Sequence, residues 1–299
     1  MSYLKEEKMR ITASMLSKSV IDSINQSKSR LGKLQEILST GKRVNKPSDD
    51  PLRISRALNL ENDLRDTEQY LKNIDTADTW INLTAQTVDN IGEALNEAKI
   101  IALRESNATS TVDSKIISAE EVRNLKKQLI QLANTSYSGR YIFSGSKTLT
   151  QPFTENGDYE GNDKEINIQI GEKRTIAINV PGNKVFKEDE DIFAVLSELE
   201  EALENDDTQG INDKIEEIDS CIKQIRSWEG ELGGRGKRIQ IFQNRLEDRR
   251  VRMIKLLSYT EDADITEAVA NLQSAGVAYQ AALSAGRQIL DFTMIEFWK

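Results

Sequence analysis

The 299-residue sequence carries 40 Lys and Arg against 49 Asp and Glu, a net charge of -9, and such an acidic balance disfavours nucleic acid, whose binding draws on clustered cations. It contains no histidine and one cysteine, which removes the commonest general base, the commonest imidazole metal ligand and any internal disulfide. Hydrophobic residues at 38%, aromatics at 6% and only four prolines give enough apolar content for a core and a balance that favours long helices. No apolar run approaches the roughly 20 residues that cross a bilayer, and the opening residues Met1 to Lys8 lack the apolar core of a cleavable secretion signal. Neither nucleic-acid binding nor membrane insertion is expected.

In chain order, Val20, Ile24, Leu31, Leu34 and Leu38 follow the four-and-three spacing of a helix packed on a helix, with Ser27 in the gap. The helix is expected to stop near Gly41, since glycine accepts the left-handed conformation and Lys42, Arg43 and Lys46 suit the negative end of the dipole. Pro47 to Pro51 reads as a turn and a new helix start, with Asp50 as N-cap and Pro51 as first helical residue. Asp49 and Asp50 as a metal pair is the weaker reading, because adjacent side chains diverge there and no third ligand type is near.

Leu60, Thr67, Ile74, Ile81, Val88, Leu95 and Ala102 then repeat every seven residues, with Ala57, Leu64 and Leu71 on the neighbouring seam. This predicts a single helix of about 70 Å at 1.5 Å per residue. After a break at Ser106 to Ser110, Val122, Leu125, Leu129 and Leu132 mark a third helix, returning antiparallel through a short connection. The pattern changes to period two at Ile166, Ile168 and Ile170, turns at Gly171 to Arg174 and returns through Ile176, Ile178 and Val180, a β-hairpin. With Tyr141, Ile142 and Phe143 before it and Val185 and Phe186 after it, a small β unit is expected from about 140 to 187.

Helical spacing resumes at Ile192, Leu196, Leu199 and Leu203, breaks at Asn205 to Gly210, and gives a second long heptad through Ile211, Ile218, Ile225, Leu232, Ile239, Leu246 and Met253. Ile215 and Ile222 fill its companion seam, which degrades at Glu229, Gly236, Gln243 and Arg250. The last segment carries Ile265, Val269, Leu272, Tyr279, Leu283, Leu290 and Phe297 on a seam shared with Gly276 and Gly286, and six further alanines allow close approach. The first and last helices are natural partners.

Motifs for chemistry are sparse. Gly230 to Arg238 resembles a phosphate-binding loop, but its glycine spacing is wrong, no Ser or Thr follows Lys237 and no strand precedes it. A flexible or closely packed place in a helix is the better reading, since each interior glycine costs about 1 kcal/mol relative to alanine. A serine nucleophile without histidine needs a lysine or terminal amine beside it, and no residue pattern supports that or a glycosidase carboxylate pair. Arg245 to Arg252 reads as a solvated or inter-subunit helix face, and Cys221, between apolar positions, as a small packing hydrophobe. No catalytic, metal or cofactor residues are expected.

Several segments resemble the flagellin superfamily: Met9 to Thr12, the run Leu38-Ser39-Thr40-Gly41-Lys42-Arg43-Val44-Asn45-Lys46-Pro47-Ser48-Asp49-Asp50-Pro51, and Tyr279 to Leu283. Gly139 to Gly145, Pro152-Phe153 and Gly157 to Asn162 are similar to its hook-filament junction branch rather than to filament flagellin, the alternative within the family. The resemblance covers residues 9 to 299. It implies a non-enzymatic protein exported unfolded, with a flagellar export chaperone, and assembled as a ring between a hook-side junction protein and flagellin at the bacterial flagellum, its terminal helices forming the inner tube. A secreted adhesin or enzyme carried on the β insert, with Tyr141, Phe153 and Tyr159 as aromatic platforms, is the alternative from another class.

The expected fold is therefore mainly α: a long coiled-coil-like helical rod with paired terminal helices and a small inserted β domain. The domains are a leading extension 1–8, a terminal helical assembly domain 9–47 with 262–299, a helical rod domain 48–138 with 189–261, and a β-hairpin domain 139–188. The expected assembly interface is Val20, Ile24, Leu31, Leu34, Leu38, Leu272, Tyr279, Leu283, Leu290 and Phe297. Both terminal seams have too little core of their own, so assembly is expected to bury them.

Overall fold

A computed structural model describes residues 13–107 and 110–297, with the backbone alone at 13, 14 and 16 and from 289. Its elements run α1 (Ala13–Thr40), α2 (Pro51–Glu105), α3 (Val112–Ala133), β1 (Ser136–Tyr137), β2 (Arg140–Tyr141), β3 (Asn167–Gly171), β4 (Arg174–Ala177), α4 (Gly182–Phe186), α5 (Ile192–Glu204), α6 (Thr208–Glu261) and α7 (Ile265–Phe297). The fold is mainly helical, with two antiparallel two-stranded sheets. The chain divides into two compact units, Met1–Leu64 with Val251–Lys299 and Arg65–Arg250, each internally packed.

The second unit holds the contiguous apolar core. On α2, Leu71, Ile74, Ile81, Val88, Leu95 and Ala102 are buried, and on α6 so are Ile211, Ile218, Ile225, Leu232, Ile239 and Leu246. The heptad thus does what its spacing dictates: every seventh residue returns to one face and meets another helix there. Polar Thr67 and Thr84 are buried on α2 as well, and Thr84 Oγ1 donates to Trp80 O at 2.8 Å. At 55 residues, α2 extends about 80 Å.

Caps fix the shorter helices. Thr111 Oγ1 accepts from Ser114 N at the start of α3, and Asp191 Oδ1 accepts from Phe193 N and Ala194 N at the start of α5. Arg104, near the end of α2, pairs with Glu121 of α3 at 2.8 Å. Glu97, Ile101 and Arg104 of α2 and Glu121, Leu125 and Gln128 of α3 line one cleft.

The non-helical segment differs from a single β unit. The hairpin is present, with Ile168 opposite Ile176 and Ile178 N donating to Ile166 O. Tyr141 belongs to the separate β1–β2 pair, Ile142 and Phe143 lie outside any strand, and Val185 and Phe186 lie on α4. What holds the segment is an aromatic cluster. Phe153 stands 4.9 Å from Phe186 and 5.2 Å from Phe193 between ring centroids, and Phe143 stands 5.3 Å from Phe186. Gly157, at φ +87, lets the chain pass where a Cβ would lie 2.7 Å from Phe193 Cβ.

Gly230, Gly233, Gly234 and Gly236 lie within the unbroken helix α6, and a Cβ at any of them would meet no atom within 4 Å. Close packing within the chain is therefore not their reason.

Candidate assembly surface

The terminal unit is organised by the segment between α1 and α2. Helix α1 ends where Gly41 takes φ +71, a conformation costly for residues with a Cβ. The next residues cross the link between α6 and α7: Arg43 N donates to Glu261 O at 2.6 Å and Ala263 N to Gly41 O at 2.9 Å. Lys42 forms an ion pair with the buried Glu261, and the Glu261 carboxylate, against the opposing effect of burial, raises the Lys42 pKa. Val44 is buried in the same loop.

Neither adjacent aspartate is spare for a ligand. Asp49 accepts the Lys33 ammonium at 2.9 Å and the backbone N–H groups of Asn45 and Lys46. The Lys33 bond, with help from those N–H groups, lowers its pKa. Asp50 Oδ1 accepts from Arg53 N at 3.0 Å, and Pro51 opens α2. Lys46 and Glu36 make a further exposed ion pair at 2.9 Å. The Leu38 to Pro51 run therefore encodes a helix stop, a crossover and a helix start.

Helices α1 and α7 pack antiparallel. A Cβ at Gly276 would lie 3.9 Å from Leu31, and one at Gly286 would lie 3.1 Å from both Val20 and Ile24. Val20, Ile24, Leu31, Leu34 and Leu38 form one half-buried stripe on α1. On α7 the packed face overlaps the large-residue seam in part. Ala268, Ala275 and Gly286 are buried and Leu272, Tyr279 and Ala282 half-buried, whereas Ile265, Val269 and Leu283 are exposed. The side chains of Leu290 and Phe297, like residues 9–12, lie outside the described residues.

An apolar cleft of about 140 Å³ remains between the two helices, lined by Val20, Ile21, Ile24, Leu283 and Gly286. Ile21 and Val277 stay 52% and 68% exposed. No described residue of the terminal unit joins the contiguous core, which runs from Leu71 to Leu246. This face is apolar and partly exposed.

Elsewhere two of the three aromatic platforms are turned inward, whereas Tyr141 is half-buried and lines a cleft of about 700 Å³ with Lys127, Gln131, Asn134, Gln151 and Glu155. Phe153 is fully buried, and Tyr159 turns inward, its hydroxyl 3.0 Å from Phe143 O and 2.9 Å from Asn162 O. Cys221 is buried in the core, and burial pushes its thiol up to about 12. No described helix is long and apolar enough to cross a membrane.

The profile of the bacterial flagellin N-terminal helical region matches residues 11–148 of this chain. The chain is similar to hook-associated protein 3 of Escherichia coli K12, 34% identical over 180 residues, which are 60% of this chain and 57% of that one. The chain thus matches a little over half the length of this relative. The flagellin of Bacillus subtilis 168 is 21% identical over 291 residues, covering 92% and 94% of the two chains. Among solved structures, FlgL of Bacillus cereus shares the fold with TM-score 0.61 at 23% identity, over 67% of this chain and 99% of that one.

Proposed function

We propose that the chain is a structural, non-enzymatic subunit of the bacterial flagellum, placed between hook and filament, on which flagellin polymerises. Its working surface is the terminal pair, with Val20, Ile24, Leu31, Leu34 and Leu38 on α1 and Leu272, Tyr279 and Leu283 on α7. Leu290 and Phe297 belong to the same proposed interface. The observation that carries this reading is a terminal unit that keeps a half-buried apolar stripe and whose few described buried residues, such as Val44, Ala268 and Ala275, lie outside the contiguous cluster of the other unit. Burial of such side chains by neighbouring subunits contributes about 1.5–3 kcal/mol each.

The partners are further copies of the chain in a ring, a hook-side junction protein, flagellin and an export chaperone. The higher identity to hook-associated protein 3 than to flagellin favours the junction over the filament itself. Deletion of the gene in the source bacterium tests it. Hooks without filaments, with flagellin released to the medium, are expected; filaments of normal length overturn the reading.

A further inference from the structure

Helix α6 contains four glycines in seven residues, all with open space where a side chain would sit. A helix loses backbone restraint at each of them. In their midst is one well-placed arginine. The Arg235 side chain is only 12% exposed, pairs with Glu231 one turn earlier at 3.0 Å, and directs Nη1 at Asn179 O, 3.2 Å away, and Ala177 O, 3.4 Å away. Those carbonyls close strand β4 and the residues just after it. The same stretch of α6 borders a cleft of about 320 Å³ lined by Glu188, Asp189, Ser227, Trp228, Glu231 and Arg235. Two residues before the first of the glycines, Trp228 Nε1 donates to Lys184 O at 3.0 Å.

We propose that residues 230–236 are a hinge in α6 and that Arg235 is its latch, holding the glycine turn against the end of β4. Glycine is kept there for movement rather than fit, since alanine fits each position in this state. The guanidinium supplies from outside the helix the restraint that the backbone lacks inside it, using two carbonyls from a distant part of the sequence. Releasing the latch frees α6 to bend toward the adjoining cleft, with the Trp228 bond as the fixed point before the hinge.

Hydrogen exchange on the full chain, followed by mass spectrometry, tests both parts. Amides of 230–236 are expected to exchange about tenfold or more faster than those of 211–225, where the apolar seam is complete. Arg235→Gln should accelerate the 230–236 peptides further and leave 211–225 unchanged. Gly233→Ala with Gly234→Ala should slow them, by about fivefold per glycine, and needs no repacking. Uniform exchange along α6, or exchange of 230–236 that neither change moves, overturns the hinge. Acceleration across the whole unit in Arg235→Gln would show general destabilisation and overturn the latch.

Discussion

Glu105 shows how a charge is kept inside this fold. Burial raises the pKa of its carboxyl, but bonds from Ser110, Arg104, Ser118 and Ser114 outweigh that and hold it at about 2. A carboxyl depressed on folding stabilises the native state above its ordinary value of 4.5 and loses that contribution as pH falls toward 2. The stability gap between wild type and Glu105→Gln, from urea unfolding, should therefore be at most about 3 kcal/mol near pH 6 and narrow steadily below pH 4.5. A pH-independent gap would assign the bonds another role. Cys221 makes the complementary case: burial first, then the nearby Glu190 and Glu217 charges, push its thiol up to about 12. Thiolate is the reactive form, so a thiol reagent at pH 8 should modify Cys221 only as fast as the surrounding helices open. Immediate labelling in native buffer would contradict the packing.

The two long helices make the same point at the scale of elements. Leu95→Ala in the centre of α2 removes a side chain 1% exposed and should cost about 2–5 kcal/mol. Leu31→Ala on the half-buried α1 stripe should cost about 1 kcal/mol in the isolated protein, measured by thermal or urea unfolding. The heptads made α2 and α6 legible because the same residues that set the period are those that pack. Helix α4 was hidden, since five residues hold no full helical repeat and adjacent Val185 and Phe186 suit a strand equally well. On α7 a pattern drawn from large side chains passes through exposed Val269 and Leu283 as well as half-buried Leu272 and Tyr279, and it does not mark Ala268 and Ala275, which are buried. Gly286, on the same seam, is where a Cβ would meet Val20 and Ile24. The terminal helices could be found in the sequence, but the burial of Ala268 and Ala275, and the contact of Arg235 with carbonyls 56 and 58 residues away, exist only in the folded chain.

For the whole molecule the decisive fact is where the core is absent. Cleavage of a folded chain requires local opening, which is cheapest where few apolar contacts are lost. Residues 65–250 contain the entire contiguous cluster, while α1 and α7 hold each other by half-buried stripes. Brief trypsin treatment of the isolated protein should therefore cut first at exposed sites such as Lys28, Arg30 and Arg287, leaving a resistant fragment close to 65–250. Under the proposed assembly role, the same sites are expected to survive in flagella that carry the protein, because the stripes would then be covered on their outer side. Cutting within α2 or α6 before the ends would mean that the terminal pair is as stable as the core. Equal cleavage at the ends in isolated and incorporated protein would mean that assembly covers some other surface.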